Sequence, residues 1–214
     1  MDNGKKLKET FLNIRKSHRL IKEYQERMIN LMFYIKEQFS MQEIRGEKHF
    51  SNCLSNYKTG NPKIKIDKNM WAWDFIYTWE FEYHFGLDIK RCLGREFTFQ
   101  IFQISDNGYY KLSRDAANDI STFASVENSD SLLIFVFNSK LPKEKFTCIQ
   151  QDTELVKDLF ISDKNEYYFD NKIFAKSYKI EEFYNQDSTD KILNNFNDSI
   201  YEHFKFNIIK KSIV

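Results

Sequence analysis

Residues 71–85, WAWDFIYTWEFEYHF, carry the pattern that decides the fold of this chain. Every odd position from Trp71 to Phe85 is aromatic, and no even position is. Alternation with a period of two residues is typical of a β-strand that turns one face toward an apolar core. A run of 15 residues is long for a strand, so a buried helix with one polar stripe stays open as the alternative. The pattern favours the strand.

The even positions of this run raise a question of function. In a strand, Glu80, Glu82 and His84 share one face at a spacing of about 6.5–7 Å. Two carboxylates and an imidazole at that spacing could hold a divalent metal ion or share acid–base catalysis. In a helix, Glu80 and His84 lie one turn apart and could still bind one metal ion. The more common arrangement is a solvent-exposed polar face behind an aromatic core face, and we expect that arrangement here.

A second pattern occupies the N-terminal segment, where an unbroken 4-3-4-3 spacing selects apolar residues at all but two positions, His18 and Gln25. Such a heptad repeat predicts one helix with a narrow seam that faces a partner. A helix of about 35 residues spans roughly 50 Å. Because that exceeds one small domain, we expect the helix to protrude and pair, or to fold back as a hairpin. The predicted partner-binding residues are Leu7, Phe11, Ile14, His18, Ile21, Gln25, Met28, Met32 and Ile35.

The turn signal TGNP at 59–62 lies in a weakly patterned connector between two parts of the chain. We assign residues 1–48 to a long amphipathic, coiled-coil-like helical segment and residues 49–214 to an α+β domain. Within that domain, Asn107-Gly108 predicts a tight hairpin turn.

The C-terminal part of the chain also predicts strands, followed by a helix. The apolar run LLIFVF at 132–137 predicts a central strand buried on both faces. Residues 166–178 predict a second hairpin, and helical spacing after Ser188 predicts a final amphipathic helix. The predicted fold class is α+β, with a mainly antiparallel sheet flanked by the long N-terminal helix and the C-terminal amphipathic helix.

Composition limits the class of partner. The net charge of +1 supplies no global field toward nucleic acid or anionic membranes, so a nucleic-acid partner has only weak support. Cys53, Cys92 and Cys148 lie far apart and lack zinc-site spacing. The sequence MDNGKKLKETF lacks the apolar core of a secretion signal, and no apolar run is long enough to span a membrane. These features predict a cytoplasmic protein that does not enter membranes.

A metal-dependent hydrolase is the enzymatic alternative. Some nucleases place an Asp before a strand that ends in Glu-x-Lys, so that carboxylates bind the metal ion and the lysine orients water. Here Asp130 precedes the 132–137 strand, and Asn138-Ser139-Lys140 follows it, with Asn in place of the second carboxylate. The alternative would use Glu80, Glu82 and His84, or Asp130 and Lys140, with a divalent metal ion on nucleic acid or phosphoesters.

The sequence contains no GxSxG elbow, P-loop or dinucleotide fingerprint. Its many aromatic residues leave a small-ligand binder with an aromatic pocket as a further alternative. Our leading hypothesis is a non-catalytic protein-interaction module without a cofactor. It would form a homodimer or dock on another protein through the N-terminal helix.

Overall fold

The computed structural model of the protein describes residues 3–41, 43–48, 80–92, 95–111, 123–139, 159, 165–169, 172–205 and 207–209. The helices within these ranges are α1 (Asn3–Gln38), α2 (Gly108–Lys111) and α3 (Gln186–Phe204). The strands are β1 (Ile44–Lys48), β2 (Glu80–Cys92), β3 (Arg95–Ile104), β4 (Leu132–Asn138), β5 (Glu166–Phe169) and β6 (Ile173–Lys179).

The described strands form one six-stranded antiparallel sheet in the order β1-β2-β3-β4-β6-β5. The sheet and its two long helices confirm the predicted α+β class. Strand β4 lies in the middle of the order, and its residues from Leu132 to Phe137 are buried on both faces. The prediction that the continuous apolar run forms a central strand is therefore confirmed.

In strand β2 the aromatic and polar residues of the alternating pattern face opposite sides of the sheet. Phe81, Tyr83 and Phe85 turn toward the face that the long helices cover, whereas Glu82 and His84 turn to the opposite face. The strand interpretation is therefore confirmed for residues 80–85. The earlier part of the alternating run, residues 71–79, lies outside the described residues.

The main core lies between the sheet and helices α1 and α3. Helix α1 contributes its residues from Met28 onward, and α3 contributes a stripe centred on Phe196. The ring of Phe99 on β3 lies about midway, with its centroid 5.0 Å from that of Phe39 and 5.7 Å from that of Phe196. Each fully buried side chain of this kind contributes about 1.5–3 kcal/mol to folding. The two helices are thus held by one shared aromatic layer.

Helix α3 begins and ends where its sequence dictates. The side chain of Asn185 accepts a hydrogen bond from the Ser188 amide at 2.8 Å, and the Ser188 hydroxyl reaches back to the Asn185 amide. This reciprocal capping satisfies amides that the first helical turn leaves without partners. Lys205 follows the last turn with a φ of 58° and ends the helix.

Two sequence interpretations are wrong. Residues 44–48, assigned to the helical segment, form strand β1, which pairs with β2. The predicted turn at Asn107-Gly108 does not start a returning strand, because α2 begins at Gly108 and β3 pairs with the later strand β4. The Asp106 side chain accepts the Gly108 amide at 2.7 Å, which favours this short helical turn over a hairpin.

The described part of the chain contains no helix with the length and apolar character needed to cross a membrane.

Candidate functional site

The first half of α1 projects from the fold as an exposed helix, residues 4–23, which we call the arm. A helix of this length extends about 30 Å. The arm displays the seam residues Leu7, Phe11, Ile14 and Ile21, each with between 42% and 56% of its surface exposed. Scattered exposed apolar residues are ordinary on protein surfaces, but a continuous apolar stripe indicates an interaction site. The arm is thus a candidate binding surface.

The flanks of this stripe carry unequal charge. Lys8, Arg15 and Lys22 lie along one side of it, and Thr10 and Ser17 lie along the other, as the 3.6-residue period of the helix requires. In total the arm contains seven Lys or Arg residues and two Glu residues. The arm is therefore strongly basic, although the whole chain carries a net charge of only +1.

The second half of α1, residues 24–38, packs on the sheet, and we call it the packed half. Its seam residues Met28, Met32 and Ile35 are at most 1% exposed. They lie in the same core as Tyr83 and Phe99. The predicted seam is thus covered here by the protein's own sheet.

A buried polar network joins the packed half to strands β2 and β3. The Gln25 amide donates to the Tyr83 hydroxyl at 3.1 Å, and that hydroxyl donates to Gln103 Oε1 at 2.6 Å. Gln103 Nε2 donates in turn to the Tyr24 hydroxyl at 3.0 Å. The Tyr24 and Ser105 hydroxyls lie 3.3 Å apart. Gln25, one of the predicted partner-binding residues, therefore has hydrogen-bond partners within the same chain.

Burial of this network changes the proton affinity of its phenols. Burial raises the pKa of Tyr83 to about 12, and the hydrogen bond from Gln25 opposes the rise. Burial also raises the pKa of Tyr24, against the opposing effect of its bonds to Ser105 and Gln103. Both hydroxyls therefore stay protonated at neutral pH and can act as donors and acceptors in the network.

The second candidate site lies on the opposite face of the sheet, around Glu80, Glu82 and His84 of β2. The Tyr110 hydroxyl of α2 donates a hydrogen bond to Glu80 Oε2. Burial and the neighbouring Glu80 carboxylate together hold the pKa of Tyr110 well above its ordinary value. Gln100 lies opposite His84 in the register, with its Nε2 3.0 Å from His84 Nδ1. We call these five residues the β2 cluster.

The predicted exposure of this polar face is wrong. Glu82 is 0% exposed and Glu80 is 9% exposed. Apolar residues of β3 lie beside the two carboxylates, because Phe102 pairs with Glu82 and Ile104 pairs with Glu80. The nearest oxygen of Glu82 lies 3.5 Å from His84 Nε2, a long distance for a direct hydrogen bond. The polar residues are therefore part of the sheet's second buried face.

A carboxylate and an imidazole can exchange a proton with a substrate only when the substrate reaches them. The burial of Glu82 and Glu80 leaves a substrate no direct access to these carboxylates in this conformation. Across the described ranges, no three His, Cys, Asp or Glu side chains come close enough to hold a metal ion together. The β2 cluster thus lies in a buried face of the sheet, where the Tyr110 hydroxyl ties α2 to β2 through Glu80.

Asp130 is engaged by two lysines. Its Oδ1 accepts a hydrogen bond from Lys179 Nζ at 2.7 Å, and its Oδ2 lies 3.3 Å from Lys111 Nζ. The hydrogen bond from Lys179, reinforced by Lys111, holds the pKa of the Asp130 carboxyl below its usual range. Asn107 also accepts the Asp130 amide at 2.8 Å. Asp130 therefore ties the start of β4 to α2 and β6.

Lys140, the proposed partner of Asp130 in a hydrolase, lies outside the described residues. Asp130 precedes β4 and Asn138 ends it, so about 26 Å of extended chain separates them. The Asp130 carboxylate is bound by Lys111 and Lys179, and within the described residues it forms no metal-binding group with Glu80, Glu82 or His84.

Sequence reasoning missed Gln103, Tyr24 and Tyr110. The sequence did contain a sign of the role of Gln103, because this polar residue follows Phe97, Phe99 and Ile101 at the next core-facing position of the same strand. Gln25 interrupts the seam of α1 in the same way, and two polar residues at otherwise apolar positions suggest a bonded pair. Tyr110 gave no such signal, because the region was predicted to be a hairpin.

The fold and the arm define a class: an α+β protein with a helix-covered antiparallel sheet and a projecting basic amphipathic helix. The chain belongs to the PM0109 family, whose model matches residues 4–205. The matched span runs through the whole arm and ends after α3. No curated protein matches the chain, and no solved structure does.

Proposed function

We propose that this protein is an interaction module that binds another protein surface through the apolar stripe of its arm. The observation that carries the proposal is the continuity of the seam across the two halves of α1. One repeat supplies buried core contacts in the packed half and an exposed stripe in the arm. The same residue pattern that packs well against the sheet is therefore presented, uncovered, for packing against a helix.

The dimensions of the arm suit a helical partner. The exposed seam runs from Leu7 to Ile21, about two heptads, which suits a short helix-to-helix contact. The stripe is narrow, because its residues Leu7, Phe11, Ile14 and Ile21 spread over about 80° of the helix circumference. A strict heptad seam is the narrow contact surface of paired helices, whereas an amphipathic helix that lies on a broad apolar surface presents a wider face. The narrow stripe therefore favours a protein partner over a lipid surface.

Site-specific photo-crosslinking in the native cells tests this proposal. A p-benzoylphenylalanine placed at position 11 lies on the stripe, and one placed at position 16 lies on the opposite side of the arm. We expect a discrete crosslinked adduct from position 11 and none from position 16. The substitution Ile14→Glu should lower the yield at position 11 by roughly tenfold, because it places a charge in the apolar contact.

The exposed Leu20, which lies outside the stripe, supplies the matched control. Leu20→Glu should leave the adduct from position 11 unchanged, since 64% of the Leu20 surface is exposed away from the seam. Equal adducts from positions 11 and 16, or no adduct from position 11, would contradict the proposal.

A further inference from the structure

We infer that the arm takes a helix of a different protein, with acidic residues along one flank of its apolar seam, and not a second copy of this chain. The inference rests on the proposed function and adds the identity of the occupant. It follows from two features of the molecule: the side of α1 on which the sheet lies, and the charge on one flank of the stripe.

The position of the sheet excludes a parallel pair of arms in register. In the packed half, the seam residues Met28 and Met32 face the protein's own sheet. A helix keeps a heptad seam on nearly the same side, with a drift of only about 20° per heptad. In a parallel pair in register, each copy would therefore place its sheet on the seam side from Tyr24 onward. The two sheets would occupy the same volume.

The positive charge on one flank of the arm disfavours antiparallel self-association. An antiparallel pair of arms avoids the steric conflict, because the two sheets then lie at opposite ends. That arrangement brings the same flank of each helix together. The flank carries Lys8, Arg15 and Lys22, so positive charges would face positive charges. Glu26 pairs with Lys22 within the helix and leaves Lys8 and Arg15 as the main source of repulsion.

The occupant that satisfies both constraints has a defined chemistry. It is a helix of about 20 residues, with apolar residues every three and four positions and Glu or Asp on the flank that meets Lys8, Arg15 and Lys22. Flanking charges of opposite sign determine partner choice in helix pairs more than they determine total affinity. The exposed stripe supplies the affinity, and the basic flank supplies the selectivity.

Two synthetic helical peptides test the inference on the purified full chain. Both carry the same leucine and isoleucine seam, and they differ only in having Glu or Lys at the flanking positions. Fluorescence anisotropy should show the Glu peptide binding at least about fivefold more tightly at low ionic strength. Added salt should reduce this preference. The triple variant Lys8→Glu/Arg15→Glu/Lys22→Glu should reverse it, and Lys16→Glu on the far side should change it little.

The outcomes separate the two proposals. Equal binding of both peptides, abolished by Ile14→Glu, would overturn the charge inference and leave the binding function intact. Absence of binding by either peptide would count against both. Light scattering that gives twice the chain mass of 25.9 kDa, returned to a single mass by Ile14→Glu, would show that a second copy is the occupant. Circular dichroism of each variant confirms that the helix is retained.

Discussion

The two halves of α1 have the same heptad pattern and opposite environments. In the packed half, Ile35 is 0% exposed, whereas Ile14 in the arm is 44% exposed. Both residues occupy equivalent positions of the repeat, three heptads apart. A heptad pattern thus predicts a helix and the side on which it will be covered, but the nature of the cover depends on what the rest of the chain places there.

Polar residues sharpen the difference between the halves. Gln25 and His18 interrupt the same seam, but only Gln25 lies where strands β2 and β3 can bond it. Tyr34 and Arg27 further tie the packed half to the segment around α3, through Asp190 at 2.5 Å and the Phe183 carbonyl at 3.1 Å. The packed half is therefore held by both apolar and polar contacts, and the arm by intrahelical ones.

The largest expected effect comes from one substitution made in both halves. Ile35→Ala removes a fully buried side chain and leaves a cavity, so it should lower the free energy of unfolding by about 2–5 kcal/mol. Ile14→Ala, the matched control in the arm, should change it by less than about 0.5 kcal/mol. Urea denaturation measures both values. Equal costs at the two positions would show that the arm is packed as firmly as the core.

The polar network gives a prediction with a pH signature. Tyr83→Phe leaves the buried Gln103 carbonyl without its donor, and should cost about 1–3 kcal/mol near neutral pH. Tyr184→Phe removes a hydroxyl from a ring that is 69% exposed and should cost little. The difference in the free energy of unfolding between these two variants isolates the network.

The pH dependence of that difference has a definite sign. The pKa of Tyr83 is about 12 in the fold and about 10 in an unfolded chain. Because folding raises this pKa, the contribution of protonated Tyr83 is complete below about pH 10 and is lost as the pH rises toward 12. The wild type should therefore lose stability more steeply than Tyr83→Phe across this interval. Parallel curves would show that Tyr83 is not buried in the network.

The alternating aromatics predicted the strand over residues 80–85 correctly, because successive side chains of a strand point to opposite faces and Phe81, Tyr83 and Phe85 share the core face. The same alternation did not predict the burial of Glu80 and Glu82. Their cover depends on contacts distant in sequence, such as Tyr110 for Glu80. Sequence period assigns a side chain to a face, and only tertiary packing decides whether that face meets water.

The failure at Asn107-Gly108 has a similar cause. Asn-Gly favours a two-residue hairpin on local grounds, but the Asn107 side chain and backbone bond Asp130, which precedes β4. These long-range bonds hold the corner between β3 and β4, and β4 takes the position beside β3 that a returning strand would have filled. Local propensity was correct about a turn and wrong about the strand after it.

The smallest expected effect lies at the junction between the two halves. Lys22 and Glu26 form an ion pair one helical turn apart, with 67% and 56% of their side chains exposed. Such a pair stabilises a helix by about 0.2–0.5 kcal/mol, and the order Lys before Glu is the less favourable one.

Lys22→Gln should therefore speed amide exchange near the junction by up to about twofold, as measured by NMR, and leave global urea unfolding unchanged. High salt should remove the effect, and Lys16→Gln, whose neighbours one turn away are Leu12 and Leu20, should not produce it. A loss of global stability from Lys22→Gln would mean that the arm and the packed half unfold as one unit.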